Sequence, residues 1–258
     1  MRVVVTRPLA QAATWVADLR AHGIDAVALP LIAIGGPPDR AAVAAAWESL
    51  ASRRLVVFVS PNAAASFFAA RPDGVGWPAG VGAAAPGPGT ADLLRAHGVP
   101  AARIVEPAAD APQFDSESLW ARLEADDWNA ASVLLVRGRG GRDWLAARLR
   151  ERGARVDALA AYARALPVFD AAAKRLLAEA VAAPALHAWL FSSSEAIDNL
   201  VAHCAATGAP GASTWAAARA IATHPRIARR ARDAGFSEVI EARPSLASVV
   251  ACIQSMQP

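Results

Sequence analysis

The chain has 258 residues with a formal charge of +3, and 55% of them are hydrophobic. A single core stops growing near this length, so two domains are the favoured expectation. The sequence shows neither a run of about eighteen apolar residues nor a secretory leader, and its bases are interspersed with acids on helix-like faces. We therefore expect a soluble, cytoplasmic protein that binds neither membranes nor nucleic acid.

Short apolar runs alternate with segments of helical period from one end of the chain to the other. The runs that predict strands are 3–5, 56–59, 133–136, 189–191 and 239–240. Amphipathic helices are predicted between them, most clearly over 9–21, which Gly23 follows, and over 143–152, which Gly153 follows. This alternation predicts an α/β fold with mostly parallel sheets.

Three of these units occur twice in the same order. The aligned pairs are Arg7 with Arg137, Gly23 with Gly153, Phe58 with Phe191, Ser60 with Ser193 and, more weakly, Gly98 with Gly235. Three matches in order with similar offsets favour an internal duplication over chance. The duplication predicts two similar α/β lobes.

Polar residues stand where the repeated strands give way to their helices. At this edge, parallel sheets present amides and hydroxyls to ligands. After the first strand, Thr6 is predicted to cap the helix that Pro8 starts. Arg7, between them, either clamps a carboxylate or has a structural role. Ser60 and Pro61 repeat the cap and the helix start in the second unit.

Further candidate anion sites follow other strands. Three hydroxyls at 192–194 exceed what a helix cap needs, and this favours contact with a ligand. The loop 87–90, before a helix predicted over 91–96, can bind an anion through its amides. The stretch 137–142 holds three arginines around three glycines, and it is either an anion site or a plain strand-to-helix turn. Neither stretch has the spacing of a P-loop or a dinucleotide fingerprint.

The histidines and cysteines indicate neither a metal site nor a nucleophile. The five histidines show no metal-ligand spacing, and Cys204 and Cys252 form no CxxC pair. No catalytic triad can be nominated from spacing. Tyr162 is the only tyrosine, and its place between an apolar strand and Pro167 indicates a connection between the lobes. The alternative is a buried tyrosine whose hydroxyl merely needs a partner.

Seven short motifs extend over essentially the whole chain. They are VTRP at 5–8, FVSPNA at 58–63, GPGTA at 87–91, FDSESL at 114–119, LLVRGRGGRDWL at 134–145, AAYAR at 160–164 and FSSSEA at 191–196. In this order and spacing they resemble the uroporphyrinogen-III synthases. The resemblance implies an α/β fold of two similar lobes, each a parallel sheet flanked by helices, joined by a two-stranded linker.

The resemblance also implies how the chain is divided. Residues 1–35 and 166–258 would form the first α/β domain, and residues 36–165 would form the second. The linker strands would be about 27–34 and about 159–166.

The same resemblance implies a lyase of tetrapyrrole and haem biosynthesis that needs no cofactor and no metal. It would close hydroxymethylbilane, a linear tetrapyrrole polyacid, to uroporphyrinogen III with loss of water and inversion of ring D through a spiro intermediate. Tyr162 is expected to assist departure of the hydroxyl. The expected substrate contacts are Arg7, Ser60, Thr90, Arg137, Ser193, Ser194, Thr223 and Arg226.

One departure from the family pattern falls at 222–226, which reads Ala-Thr-His-Pro-Arg where many members have Gly-Pro-Thr-Thr. The expected hydroxyls are displaced or missing here, and we expect Arg226 to bind a side-chain carboxylate in their place.

Two other functions are open. One is a two-lobed binding or sensing protein without catalysis, which the duplication would suit equally. The other is an enzyme that acts on a phosphorylated metabolite through the loops at Gly87 and Gly138. Because no coiled-coil pattern occurs, a monomer is the default expectation.

Overall fold

The computed structural model describes residues 1–206 and 215–256. The chain divides into two compact units, of which the first combines Met1–Ala33 with Ala165–Pro258 and the second is Ile34–Arg164. Each unit contains its own sheet, with helices packed on both faces. None of the helices within 1–206 and 215–256 is long and apolar enough to cross a bilayer.

The elements of the described residues confirm the α/β class. The strands are β1 (Arg2–Val5), β2 (Ala26–Ala28), β3 (Ala33–Gly35), β4 (Leu55–Phe58), β5 (Gly82–Ala84), β6 (Ile104–Val105), β7 (Ser132–Gly138), β8 (Arg155–Ala165), β9 (His187–Phe191), β10 (Arg219–Ala222) and β11 (Glu238–Glu241). The helices are α1 (Leu9–Ala21), α2 (Arg40–Glu48), α3 (Pro61–Ala69), α4 (Pro88–Ala96), α5 (Ser116–Leu123), α6 (Trp144–Glu151), α7 (Ala171–Ala182), α8 (Ser194–Ala206), α9 (Pro225–Asp233) and α10 (Leu246–Ser255). All the strands and helices predicted most clearly from the sequence fall on these elements.

The sheet of the first unit has the order β11-β10-β9-β1-β2, and every pairing in it is parallel. Its central strands read as continuous apolar runs because both of their faces are buried. Val3 and Val5 pack in one core cluster with residues of α1 and α10. Trp189, aligned with Val4 between them, faces the other way and packs edge-on against Trp215. Alternation along the strands thus creates two core layers.

The sheet of the second unit has the order β3-β8-β7-β4-β5-β6, and the pairings from β8 to β6 are parallel. Val56 and Phe58 of β4 belong to a core cluster that includes residues of α2, α3 and α4. Leu55 and Val57 belong to a second cluster that includes residues of α5 and α6. The period of two along β4 therefore assigns helices to both faces of this sheet.

The two units repeat one strand order, which confirms the two similar lobes. The order β11-β10-β9-β1-β2 of the first unit corresponds to β6-β5-β4-β7-β8 of the second. The glycines matched in the sequence also share a left-handed backbone: φ is 74° at Gly23 and 90° at Gly153, and 87° at Gly98 and 104° at Gly235. Each of these glycines follows a helix, where a positive φ favours glycine.

Two predicted elements differ from the observed ones. The stretch expected as one linker strand, about 27–34, contains two short strands, β2 and β3, which belong to different sheets. The other expected linker strand, about 159–166, is the last part of β8. The helix predicted over 91–96 begins earlier, at Pro88, because proline suits the first helical position.

Candidate active site

Five predicted contacts lie at one edge of the first unit's sheet. β10, β9 and β1 are neighbours and run parallel, so their carboxyl ends share an edge. Arg7 follows β1, Ser193 and Ser194 follow β9, and Thr223 and Arg226 follow β10. The fold therefore gathers in one place residues that lie far apart in the chain.

Arg7 is a largely buried cation. Its guanidinium lies 4.4 Å above the ring of Trp15, and its Nη1 donates to Gln11 Oε1 at 3.4 Å. Its Nε is buried with no hydrogen-bond partner among the described residues. Burial lowers the pKa of Arg7 to about 10, so the group stays charged at neutral pH. A charge that is poorly solvated and lacks a carboxylate partner in the described chain is suited to bind an anion.

The helix that follows Arg7 has an open N-terminus. Pro8 is the N-cap residue of α1 but makes no side-chain capping bond, and the first turn holds no acidic residue. The first amides of a helix lack partners within it and carry partial positive charge. They add to the attraction for an anion beside Arg7.

The expectation that Thr6 caps α1 is wrong. Its hydroxyl donates instead to Leu190 O on β9, at 2.7 Å. Thr6 is buried between β1 and its neighbour, where an unpaired hydroxyl would be destabilising. The Thr6 hydroxyl therefore bonds to a carbonyl of the neighbouring strand and not to an amide of α1.

The remaining residues of this edge differ in exposure. Ser193 and Ser194 are partly buried at the start of α8, and Thr223 is buried. His224 caps α9, because its Nδ1 accepts from the Arg226 amide at 3.1 Å. The side chain of Arg226 is exposed. Among the five predicted contacts at this edge, Arg226 is therefore the exposed cation, and it lies in the turn 222–226.

Four predicted residues gather in the same way at the carboxyl edge of the second unit's sheet. β5, β4, β7 and β8 are consecutive and parallel in this sheet. Thr90 follows β5, Ser60 follows β4, Arg137 lies at the end of β7, and Tyr162 lies near the end of β8.

Tyr162 and Ser60 are in direct contact. Ser60 Oγ lies 3.2 Å from the Tyr162 hydroxyl, and it accepts the Ala63 amide at 3.2 Å as the N-cap of α3. Tyr162 is fully buried, and its hydroxyl also accepts from Arg164 Nη2 at 3.1 Å. The phenol therefore has two polar partners inside one unit.

Thr90 and Arg137 are less open than expected. Thr90 is buried in the first turn of α4, and its amide donates to Gly87 O at 3.1 Å. Arg137 forms an ion pair with Asp143, whose side chain is 67% exposed. An ion pair with an exposed carboxylate contributes little stability, so Arg137 can exchange this partner for another anion.

Two residues around Tyr162 were not among the predicted contacts. Arg164 lies two positions further along β8, on the same side of the strand, a spacing visible in the AAYAR motif. Gly138 is the partner of Tyr162 in the β7–β8 register, next to a bulge. A side chain there would place Cβ 2.8 Å from Tyr162 Cζ. Only the strand register reveals this second contact.

Two of the five histidines stack on aromatic rings. The His97 ring stacks on Phe68 at 4.6 Å and the His203 ring on Phe169 at 3.9 Å. Burial lowers the pKa of both histidines. Within 1–206 and 215–256, no group of three or more His, Cys, Asp or Glu side chains is arranged to hold a metal ion.

Comparison with known proteins decides the family. A family model described as uroporphyrinogen-III synthase HemD matches residues 13–251. The chain belongs to the HemD family. The resemblance carried by the seven motifs is thereby confirmed at the level of the family.

Solved structures share the fold of this HemD-family chain. A mutant uroporphyrinogen III synthase from the extremely thermophilic bacterium Thermus thermophilus superposes with a TM-score of 0.60 at 20% identity, over 99% of this chain and 98% of that one. A uroporphyrinogen-III synthetase from Helicobacter pylori gives 0.55 at 16% identity, over 100% of both chains. At these identities the likeness supports the fold.

Proposed function

We propose that this chain closes hydroxymethylbilane to uroporphyrinogen III, with loss of water and inversion of ring D through a spiro intermediate. Membership of the HemD family supports the reaction class. The observation that carries the proposal for this chain is the hydrogen-bonded pair of Tyr162 and Ser60 at the carboxyl edge of its sheet. A hydroxyl pair held there is suited to assist departure of the substrate's hydroxyl group.

The substrate chemistry matches the cationic features of the first unit. Hydroxymethylbilane carries an acetate and a propionate on every ring and is therefore a polyanion. Arg7 combines a buried Nε, which has no hydrogen-bond partner in the described part of the chain, with the open N-terminus of α1, and Arg226 is an exposed cation at the start of α9. Carboxylates bind well to both kinds of group.

The main task of the enzyme is to control the conformation of the substrate. The free substrate closes spontaneously to the isomer in which ring D is not inverted. An enzyme must therefore favour the transition state that leads to the spiro intermediate, by holding the chain ends in the geometry that it requires. Carboxylate contacts along the substrate supply this orientation, and Tyr162 promotes loss of the hydroxyl as water.

The decisive experiment measures which ring isomer forms. Purified protein is incubated with freshly prepared hydroxymethylbilane, the products are oxidised, and the type I and type III porphyrins are separated and quantified. Type III product in excess of a protein-free blank supports the proposal. Type I product at the spontaneous rate refutes it, and tight binding of the substrate together with that result indicates a binding protein.

A further inference from the structure

The Tyr162 hydroxyl is shielded from any ligand. The residue is fully buried, and the ring packs against Gly138 so closely that a Cβ there would lie 3.1 Å from the hydroxyl oxygen. The polar partners of that oxygen are Ser60 and Arg164, and both reach the protein surface. A substrate therefore meets one of these partners and not the phenol itself.

The two partners differ in what they can do with a proton. A guanidinium has donors but no acceptor, and it stays protonated in proteins. Arg164 therefore donates to the phenol oxygen and cannot take a proton from it. Ser60 Oγ can both accept and donate, so a proton can leave the phenol through Ser60.

The need to pair every buried hydroxyl hydrogen fixes which hydroxyl donates in the bond between Tyr162 and Ser60. If Ser60 donated to Tyr162, the phenol hydrogen would be buried without an acceptor, which is costly. Within the described residues, Ser60 Oγ is the acceptor in reach of that hydrogen. Ser60 Oγ then accepts from both Tyr162 and the Ala63 amide. Its own hydrogen is left to donate outward.

We infer that Ser60 is the group that protonates the leaving hydroxyl of the substrate, that Tyr162 replaces the Ser60 proton, and that Arg164 is a positioning residue for the phenol. This inference rests on the proposed function. It extends that function by giving Ser60 a chemical role where the sequence suggested a cap and a contact.

Protons are conserved when the substrate loses its hydroxyl group in this way. The Ser60 hydroxyl gives its proton to the leaving oxygen, the carbon–oxygen bond breaks with its electron pair on oxygen, and water departs. Ser60 takes the Tyr162 proton, and the Arg164 guanidinium stabilises the negative charge left on the phenol oxygen. When the cyclised intermediate loses a proton from carbon, that proton returns to Tyr162 through Ser60.

The first test uses Ser60 variants that preserve the helix cap. Both Ser60→Thr and Ser60→Asn keep an oxygen that caps α3, but asparagine cannot pass on a proton. We expect Ser60→Asn to form type III product at least about tenfold more slowly than Ser60→Thr. We also expect the double variant Ser60→Asn with Tyr162→Phe to be no slower than Ser60→Asn alone, because both changes break one chain.

The second test separates positioning by Arg164 from substrate binding. We expect Arg164→Gln to lower kcat about tenfold with KM within about twofold, and Arg164→Lys to recover part of the loss. Because Tyr162 is the only tyrosine, ¹³Cζ-labelled tyrosine gives a single NMR resonance, which should move in Arg164→Gln at constant pH. Arg155→Gln, an exposed change at the opposite end of β8, is the matched control and should alter neither quantity.

The outcomes distinguish this inference from the proposed function. If wild-type protein forms no type III product, the function itself fails. If wild type is active but Ser60→Asn matches Ser60→Thr, or if the Ser60 and Tyr162 losses multiply, the relay is wrong. If Arg164→Gln raises KM and leaves the tyrosine resonance in place, Arg164 binds substrate and does not position the phenol.

Discussion

Replacing Gly138 with alanine tests the packing that holds the phenol. The added Cβ would lie 2.8 Å from Cζ and 3.0 Å from Cε2 of Tyr162. Carbon atoms are best separated by about 3.5 Å or more, so the ring has to withdraw by about 0.7 Å. The ring is fully buried, and overpacking of such a site costs about 1–3 kcal/mol. The lower backbone entropy of alanine in the unfolded chain offsets about 0.4–1 kcal/mol, which leaves a net loss of up to about 2.6 kcal/mol, with a central value of about 1.3 kcal/mol.

The measurement is urea-induced unfolding followed by circular dichroism. Gly76→Ala is the control, since a Cβ there meets no atom within 4 Å, and its midpoint should equal or slightly exceed that of wild type. In a Tyr162→Leu background, which lacks Cζ, most of the loss caused by Gly138→Ala should disappear. A Gly138→Ala protein as stable as Gly76→Ala would refute the packing argument.

Three further perturbations have defined outcomes. Burial, and to a lesser degree Arg71, lower the pKa of His97 below 6.5 in the folded protein. Below pH 6.5 the unfolded chain therefore binds more protons than the folded protein does. The contribution of His97 to the free energy of unfolding is complete above pH 6.5 and is lost as the pH falls through the folded-state pKa. His97→Phe, which keeps the ring stacked on Phe68, should reduce the loss of urea midpoint between about pH 7.5 and about pH 5. Arg7→Met removes a largely buried charge that has no carboxylate partner within residues 1–206 and 215–256, and it should raise the free energy of unfolding by about 1 kcal/mol, while KM rises at least about tenfold. Phe67→Ala should lower the free energy of unfolding by about 3–5 kcal/mol, because its ring is fully buried.

A specific outcome would contradict each of these three predictions. An equal loss of urea midpoint in His97→Phe and wild type would show that His97 does not contribute to the pH dependence. An Arg7→Met protein with unchanged KM would mean that Arg7 has only a structural role. A loss below about 1.5 kcal/mol in Phe67→Ala would indicate that the core around α3 collapses to fill the cavity.

The sequence alone is sufficient to predict the central strands and the internal repeat. β1, β4, β7 and β9 are buried on both faces and therefore read as continuous apolar runs. Short strands such as β5, with the sequence GAA, carry no such signal. They are strands because neighbouring strands supply their hydrogen-bond partners, and a single sequence does not reveal those neighbours.

The candidate residues at the sheet edges can be named from the local sequence, but the contacts between them cannot. Ser60 and Arg7 could be nominated because hydroxyls and cations at strand ends are visible in the chain, whereas Tyr162 is nominated through the resemblance to the family. The contact between Ser60 and Tyr162 joins residues 102 positions apart. It exists because β4 and β8 both flank β7 in parallel register.

What the sequence determined by itself is the class of the fold, the duplication and the residue types at each strand end, since these depend on neighbours along the chain. The tertiary structure decided which partner each polar group takes. Thr6 shows the difference, because a carbonyl 184 residues away replaces the helix amide next to it. A buried hydroxyl bonds to the acceptor that the strand order brings near, and that order is a property of the whole sheet.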